Sequence, residues 1–400
     1  MDEFEEPMNT PPIGRARDAL FRRLLDLVAM PATRLAHQDR NMVGDILLDM
    51  LFHANTRERK MCASRLAQSR EAPRRLLRYL AQSSFEIAQP LLEQNEAFDA
   101  CDLSEIVEAT STEHRLAIAR RKVVAPSVCV ALAEHGETHV VREMVTNNGS
   151  VLSETAVDKL VMRSRDESQL CELLVERLEL RPSQAMAMFW WSDGITRRKI
   201  LQRHSADRLE VIETCKDVFE IMAEEKWADP VARKALQLIE RRQRNREALE
   251  RSEFDSLESA INTAALEGMT SELAQEIGYL CGIRPVTIAK ILSDPGGEGV
   301  AVLCKATGVK REFLPVFWAA LRRPLEIEEG RIHPQFAMVA ETYEILTVAK
   351  AQTTLRYWNW SLSAAFSSQA LREAQEGGEP ANEEAAFSTS QRTARLVFGS

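Results

Sequence analysis

Four hundred residues, 28% charged, 45% hydrophobic and 6% aromatic, with 60 acidic against 51 basic side chains and a formal net charge of -9, describe a globular chain and exclude a general nucleic-acid coat. The longest charge-free stretch, Tyr357 to Leu371, is too short and too rich in Ser, Asn and Gln to span a bilayer, and the acidic start MDEFEEPMNTPP is no secretory signal. Seven scattered cysteines (62, 101, 129, 171, 215, 281, 304) without a CxxC pair exclude a disulfide or zinc framework, so a cytoplasmic protein with reduced thiols and no membrane association is expected.

Residues 1–12 are expected to be disordered. Beyond them apolar residues recur at helical spacing through almost the whole chain, and strict alternation is nearly absent, which predicts an all-α protein. The helices between Arg15 and Arg251 are short. Pro31, Pro73, Pro126, Pro182 and Pro230 stand at or near helix starts, and Thr56, Asp102, Ser111, Ser153 and Asp229 fall where an N-cap is expected.

Pro73 lies 53 residues before Pro126, and Pro126 lies 56 before Pro182. The segments APRRLLRYLAQSSFEIAQPLLEQN, APSVCVALAEHGETHVVREMVTNN and RPSQAMAMFWWSDGITRRKILQRH align: proline opens a helix, a polar turn follows, a second helix ends in a hydrophobic pair, and Asn or His closes the unit. The intervening segments align as well, Leu116 with Leu170 and Arg121 with Arg177. The spacing predicts a repeat of about 54 residues containing two stacked helix pairs, and hence a HEAT-like α-solenoid over residues 13–252. The alternative is an irregular helical bundle whose prolines fall evenly.

The run AQPLLEQNEAFDACDLSEIVEATSTEHRLAIARR, the run ALAEHGETHVVREMVTNNGSVLSETAVDKLVMRSRDESQLCELLVERLEL and the motif DPGGEGVAVLCKATGV resemble the alphaproteobacterial domain of unknown function family 2336, over roughly Leu47 to Leu321. The resemblance implies a helical, HEAT-like fold. It implies no reaction, ligand or catalytic residue.

From Asp229 a long, strongly charged helix, ARKALQLIERRQRNREALERSEFD, leads out of the repeats. A compact helical module is expected over 253–325, then a C-terminal amphipathic helix over 333–362, then a disordered tail over 363–400. In that helix Phe336, Val339, Tyr343 and Leu346 keep an approximate seven-residue rhythm, and Trp358 stands near its end among aromatic neighbours. Such a stripe serves either self-association or partner binding, or else docks on the chain's own solenoid.

Four features bear on function. A basic cluster around Arg74, Arg75 and Arg78 and a second at Arg120, Arg121 and Lys122 would form a binding strip if the repeats place them on one face, the alternative being a solvated face paired with glutamates. A third cluster lies at Arg197, Arg198, Lys199 and Arg203. The turn Asp294-Pro295-Gly296-Gly297-Glu298-Gly299 precedes a helix, but with no strand and no GK[ST] it reads as a helix-to-helix turn rather than a phosphate loop. His114, in the first turn of a helix, is either a surface or capping residue or a phosphotransfer histidine.

No serine elbow, triad context or metal spacing occurs, so no catalytic, cofactor or metal residue is assigned and no enzyme is expected. The expected function is a non-enzymatic helical-repeat scaffold or adaptor that binds a protein partner in bacterial signalling or regulation. The alternatives are a binder of nucleic acid or a phosphorylated ligand through the basic strip, and a histidine phosphotransfer protein.

Overall fold

The computed structural model describes residues 14–29, 36–240, 246–327 and 330–363. The ends expected to be disordered, 1–12 and all of 363–400 but Ser363, lie outside the described residues. The chain is all-α: among the described residues the extended pairing is confined to a two-residue antiparallel ladder of Glu326–Ile327 with Arg331–Ile332 and a parallel bridge between Val124 and Ser150. It packs as two compact units, one ending at Leu160 and the other beginning at Val161.

In the first unit helices follow one another in pairs: Arg74–Ala81 with Phe85–Gln94, Ala100–Ala109 with Thr112–Ala119, and Pro126–His135 with Thr138–Thr146. Each pair opens on a local start signal. Pro73 and Pro126 begin two of them, and between these Asp99 begins the third with a capping box, accepting from the Asp102 N–H at 2.8 Å while Asp102 accepts in return. Proline and aspartate alternate as openers, so the prolines mark only every second pair. The unit of stacking is therefore one helix pair of about 26 residues, with first helices starting at 74, 100 and 126, and the repeat of about 54 residues consists of two such pairs, as its spacing predicts.

The pairs stack as a HEAT-like array does, like helix on like helix. Thr56–Leu66, Phe85–Gln94, Thr112–Ala119 and Thr138–Thr146 pack in succession, and Ala100–Ala109 packs on Pro126–His135. Their apolar stripes, such as Leu103, Ile106 and Val107 or Val140, Val141 and Met144, are buried. Each such side chain contributes about 1.5–3 kcal/mol by leaving water.

Polar closures lock the stack. Asn95 ends Phe85–Gln94 and donates backwards to the carbonyls of Leu66 (2.7 Å) and Ser69 (3.0 Å), while its own oxygen accepts from the Ala97 N–H. Asn147 repeats this on the carbonyls of Ala119 and Arg121, both at 2.8 Å, with its oxygen accepting from the Gly149 N–H. Between them Arg121 reaches the carbonyls of Leu92 (2.5 Å) and Asn95 (2.7 Å). Each second helix thus supplies donors to the carbonyls at the C-terminal end of the second helix before it, groups that a helix leaves without partners.

In the second unit Gly194–His204 packs against Ser168–Glu176 and Pro182–Met188, and Arg203 reaches back to the carbonyls of Val175 and Arg177. A helical module follows: Leu257–Glu267, Ser271–Leu280, Pro285–Ser293, Glu298–Thr307 and Leu314–Ala320. Of the long charged helix, Pro230–Glu240 and Arg246–Arg251 are described and helical. The single helix expected over 333–362 is corrected to two, Pro334–Ile345 and Val348–Ser363, both packed on Glu298–Thr307. Leu346 turns extended at the break, and the Thr347 hydroxyl caps the second helix by accepting from the Lys350 N–H.

Candidate functional site

The arginines of the expected basic strip are already engaged. Arg74 pairs with Asp99 and with Asp102 (3.4 Å), Arg78 with Asp102 (2.9 Å) and Glu105, Arg75 with Asp45 (3.5 Å) and Arg120 with Glu143 (3.0 Å). Most of these partners sit one helix pair away along the chain, so the cations and carboxylates of neighbouring pairs neutralise one another. The half-buried Arg121 directs its donors to carbonyls, and burial lowers its pKa. Lys122 is exposed and makes no ion pair among the described residues. Arg74, Arg75, Arg78 and Arg120 thus face carboxylates rather than bare solvent, as the solvated, glutamate-paired alternative expects.

His114 is engaged as well, and its phosphotransfer reading is corrected. It is buried, with Nδ1 2.8 Å from the Ser111 hydroxyl and its Nε2–H donating to the Ser83 carbonyl at 3.0 Å, and its ring meets Phe85 edge-on. A phosphotransfer histidine must present a nitrogen to solvent, and both of these are occupied.

The C-terminal stripe is buried within its own chain. Val339, Leu346 and Trp358 are core residues. Phe336 and Tyr343 pack against the cluster of Ala301, Trp318 and Val339, the Tyr343 hydroxyl donates to the Val309 carbonyl at 2.9 Å, and Trp358 meets Phe189 and Trp190 at ring separations of 4.9 and 4.8 Å. Self-association or partner binding through this stripe is corrected to intramolecular docking, because its apolar area is already out of water.

The remaining features converge. Arg197, read from sequence as one of a basic cluster, is buried on Gly194–His204, and the turn Asp294 to Gly299 closes over it. Its Nη1 donates to Asp294 (2.6 Å) and Glu298 (2.7 Å), its Nη2 to Asp294 (2.8 Å) and the Trp190 carbonyl (3.3 Å), and its Nε to the Ser192 carbonyl (2.8 Å). All five donors of the guanidinium are used. Its plane also lies 4.8 Å from the Phe189 ring centre. Burial works against the Arg197 charge, but the hydrogen bonds and charges of Asp294 and Glu298 outweigh it and hold the guanidinium above its ordinary value.

Two glycines of this turn are steric necessities. A Cβ at Gly296 would fall 2.1 Å from Arg197 Nη1, and one at Gly297, where φ is +87°, would fall 2.3 Å from the Trp318 ring. Arg323 stacks on that Trp318 and donates to the carbonyls of Leu292 (3.0 Å) and Asp294 (2.6 Å), tying the turn down from its other side.

Beside the clasp opens a cavity of about 410 Å³, walled by Trp190, Trp191, Gly194, Glu298, Gln335 and Met338, with Pro295 and Pro334 exposed at its rim. Only Oε2 of Glu298 is engaged by Arg197; Oε1 has no partner among the described residues and stands on the cavity wall beside Gly194. Asp193 lines the same cavity and caps Gly194–His204 by accepting from the Thr196 N–H at 2.7 Å. Arg165 and Lys290 lie over the indoles of Trp191 and Trp190 at 4.8 and 5.5 Å. The cavity therefore offers carboxylate acceptors and apolar surface, with the buried Trp190 indole N–H unpaired among the described residues and no Arg197 donor left over.

Stacked helix pairs, polar closures between them and a buried ionic clasp define an α-helical repeat protein. A family profile described as "Uncharacterised protein conserved in bacteria (DUF2336)" matches residues 87–356, and the chain belongs to that family. The match takes in Arg197, Asp294, Glu298 and the whole cavity wall. No curated protein and no solved structure matches. Among the described residues no helix is long and apolar enough to cross a membrane.

Proposed function

We propose that the chain is a non-enzymatic, cytoplasmic scaffold or adaptor that recognises a protein partner, and that its recognition site is the cavity beside the Arg197 clasp. The observation that carries this reading is the saturated guanidinium: with every Arg197 donor bound inside the protein, the clasp acts as a rigid wall that presents the cavity ready-formed. The thiols support binding over chemistry, since burial pushes Cys62 up to about 12 and Cys304 upward too, which leaves both protonated and unreactive.

Pocket-filling substitutions test the proposal. At Gly194 an added Cβ would meet not only the flexible end of Met338 but also Glu298 Oε1 at 2.7 Å, so the cavity is filled from its other walls instead, by Met338→Trp and by Gln335→Trp. Affinity purification of tagged wild type and both variants from bacterial cytoplasm should recover a protein that the wild type retains and both variants lose, while their thermal melting stays that of the wild type. A partner retained equally by folded variants, or no specific partner of the wild type, overturns it.

A further inference from the structure

Resting on the reading of this cavity as a partner site, we infer that what it receives is a lysine side chain of the partner, inserted as an aliphatic cation. The charged groups that the cavity presents unsaturated, Glu298 and Asp193, are on the acceptor side. Glu298 is almost wholly buried, yet its Oε1 reaches the cavity wall with no partner among the described residues, a carboxylate oxygen with capacity for a donor. Asp193 adds a second carboxylate, of which one oxygen caps the helix.

An anion is disfavoured by the same geometry, because Arg197 has no N–H to offer and the second carboxylate oxygen of Glu298 would face it. Between basic side chains the choice falls on lysine. A guanidinium binds best to two parallel oxygens of one carboxylate, and at Glu298 one of the pair already serves Arg197. A compact ammonium with freely rotating donors can use one oxygen from each of two carboxylates. The apolar stem of a lysine matches the remaining wall of Met338, Pro295 and Pro334. Exposure of both prolines at the rim leaves room for the partner's backbone outside.

The test uses the full chain and three probes: a pentapeptide with one central lysine between glycines, the same peptide with that lysine Nε-acetylated, and n-butylammonium. Each is titrated into the millimolar range while the indole N–H signals are followed by NMR, those of Trp190 and Trp191 being assigned with Trp→Phe variants. Saturable shifts of these two signals are expected with the lysine peptide, and at least tenfold weaker binding with the acetylated one. Glu298→Gln turns the cavity-facing acceptor into an amide donor while Asp294 still balances Arg197, and should weaken lysine binding at least tenfold without loss of the folded spectrum. Asp193→Asn, which keeps the cap, should weaken it less.

Equal binding of both peptides, or no saturable shift in wild type, overturns the inference. Binding of n-butylammonium as tight as that of the peptide overturns the partner assignment in favour of a free amine. If the pocket-filling variants lose a captured partner but no cation binds, this inference fails and the partner-site reading survives; if the lysine peptide binds and no partner is ever captured, the reverse holds.

Discussion

The region around Arg74 in the first unit and the region around Arg197 in the second handle charge in opposite ways. In the first, arginines and carboxylates of successive helix pairs meet at the surface, with 57% of the Arg74 side chain and 81% of Arg75 still exposed. In the second, Arg197, Asp294 and Glu298 retain only 4%, 1% and 2%. Exposed pairs contribute about 0–1 kcal/mol each and are screened by salt. A buried cluster gains little in total, because desolvation offsets attraction, but removing one member strands the others at a large penalty. Density of charge along a sequence therefore points to the wrong place. The crowded arginines of the first unit form a solvated face, and a single arginine of the second organises the cavity.

Arg197→Leu breaks this comparison at its strongest point. It leaves Asp294 and Glu298 buried face to face, and it should cost about 3–5 kcal/mol of stability in chemical unfolding. A loss below about 1 kcal/mol would mean that water replaces the guanidinium freely and that the clasp does not hold the wall.

The polar closures should yield the next largest effect. Asn95 is fully buried, and Asn95→Ala leaves the carbonyls of Leu66 and Ser69 without its two donors, at a cost of about 1–3 kcal/mol by the same measurement. Asn147→Ala, at a half-buried site with the same bonds, should cost less. A larger loss at Asn147 would show that local burial does not set the value of a closure.

Much of this was legible in the sequence because it is written locally. Proline, Asp and Ser start signals announce the helices, and apolar spacing announces the buried stripes. The prolines mark two pairs at a time because Asp99 does at one pair what Pro73 and Pro126 do at its neighbours. The C-terminal helix reads as continuous because its apolar rhythm runs through Leu346, and the cap that breaks it is one threonine. The candidate site was not legible as a site: Arg197 stands 97 and 101 residues from Asp294 and Glu298, and only the fold brings them together. The one available signal was the cluster of glycines beside two carboxylates in the turn, which marks a close approach without saying to what.

The smallest effect concerns the place where the two units differ in their closures. Near the end of Gly194–His204, where the first unit uses asparagine, stands His204, whose buried Nε2 has no partner among the described residues. Burial, with the Arg203 charge adding to it, pushes its pKa down to about 4, well below the value near 6.5 that the unfolded chain has. The unfolded state therefore takes up the proton first on acidification. The stability tied to the neutral ring is fully present above about pH 6.5 and is lost as pH falls from there towards 4. Because the ring is only half-buried, solvent screening reduces the loss to roughly 1–2 kcal/mol. Urea unfolding of wild type and His204→Asn between pH 4.5 and 7.5 isolates it, since the carboxylates titrate alike in both. The wild type should lose this increment relative to the variant, and parallel pH curves would assign the slope elsewhere. An asparagine here also gains the chance to reach back as Asn95 does, so a variant more stable than wild type even at pH 7.5 would show that the second unit tolerates the closure of the first.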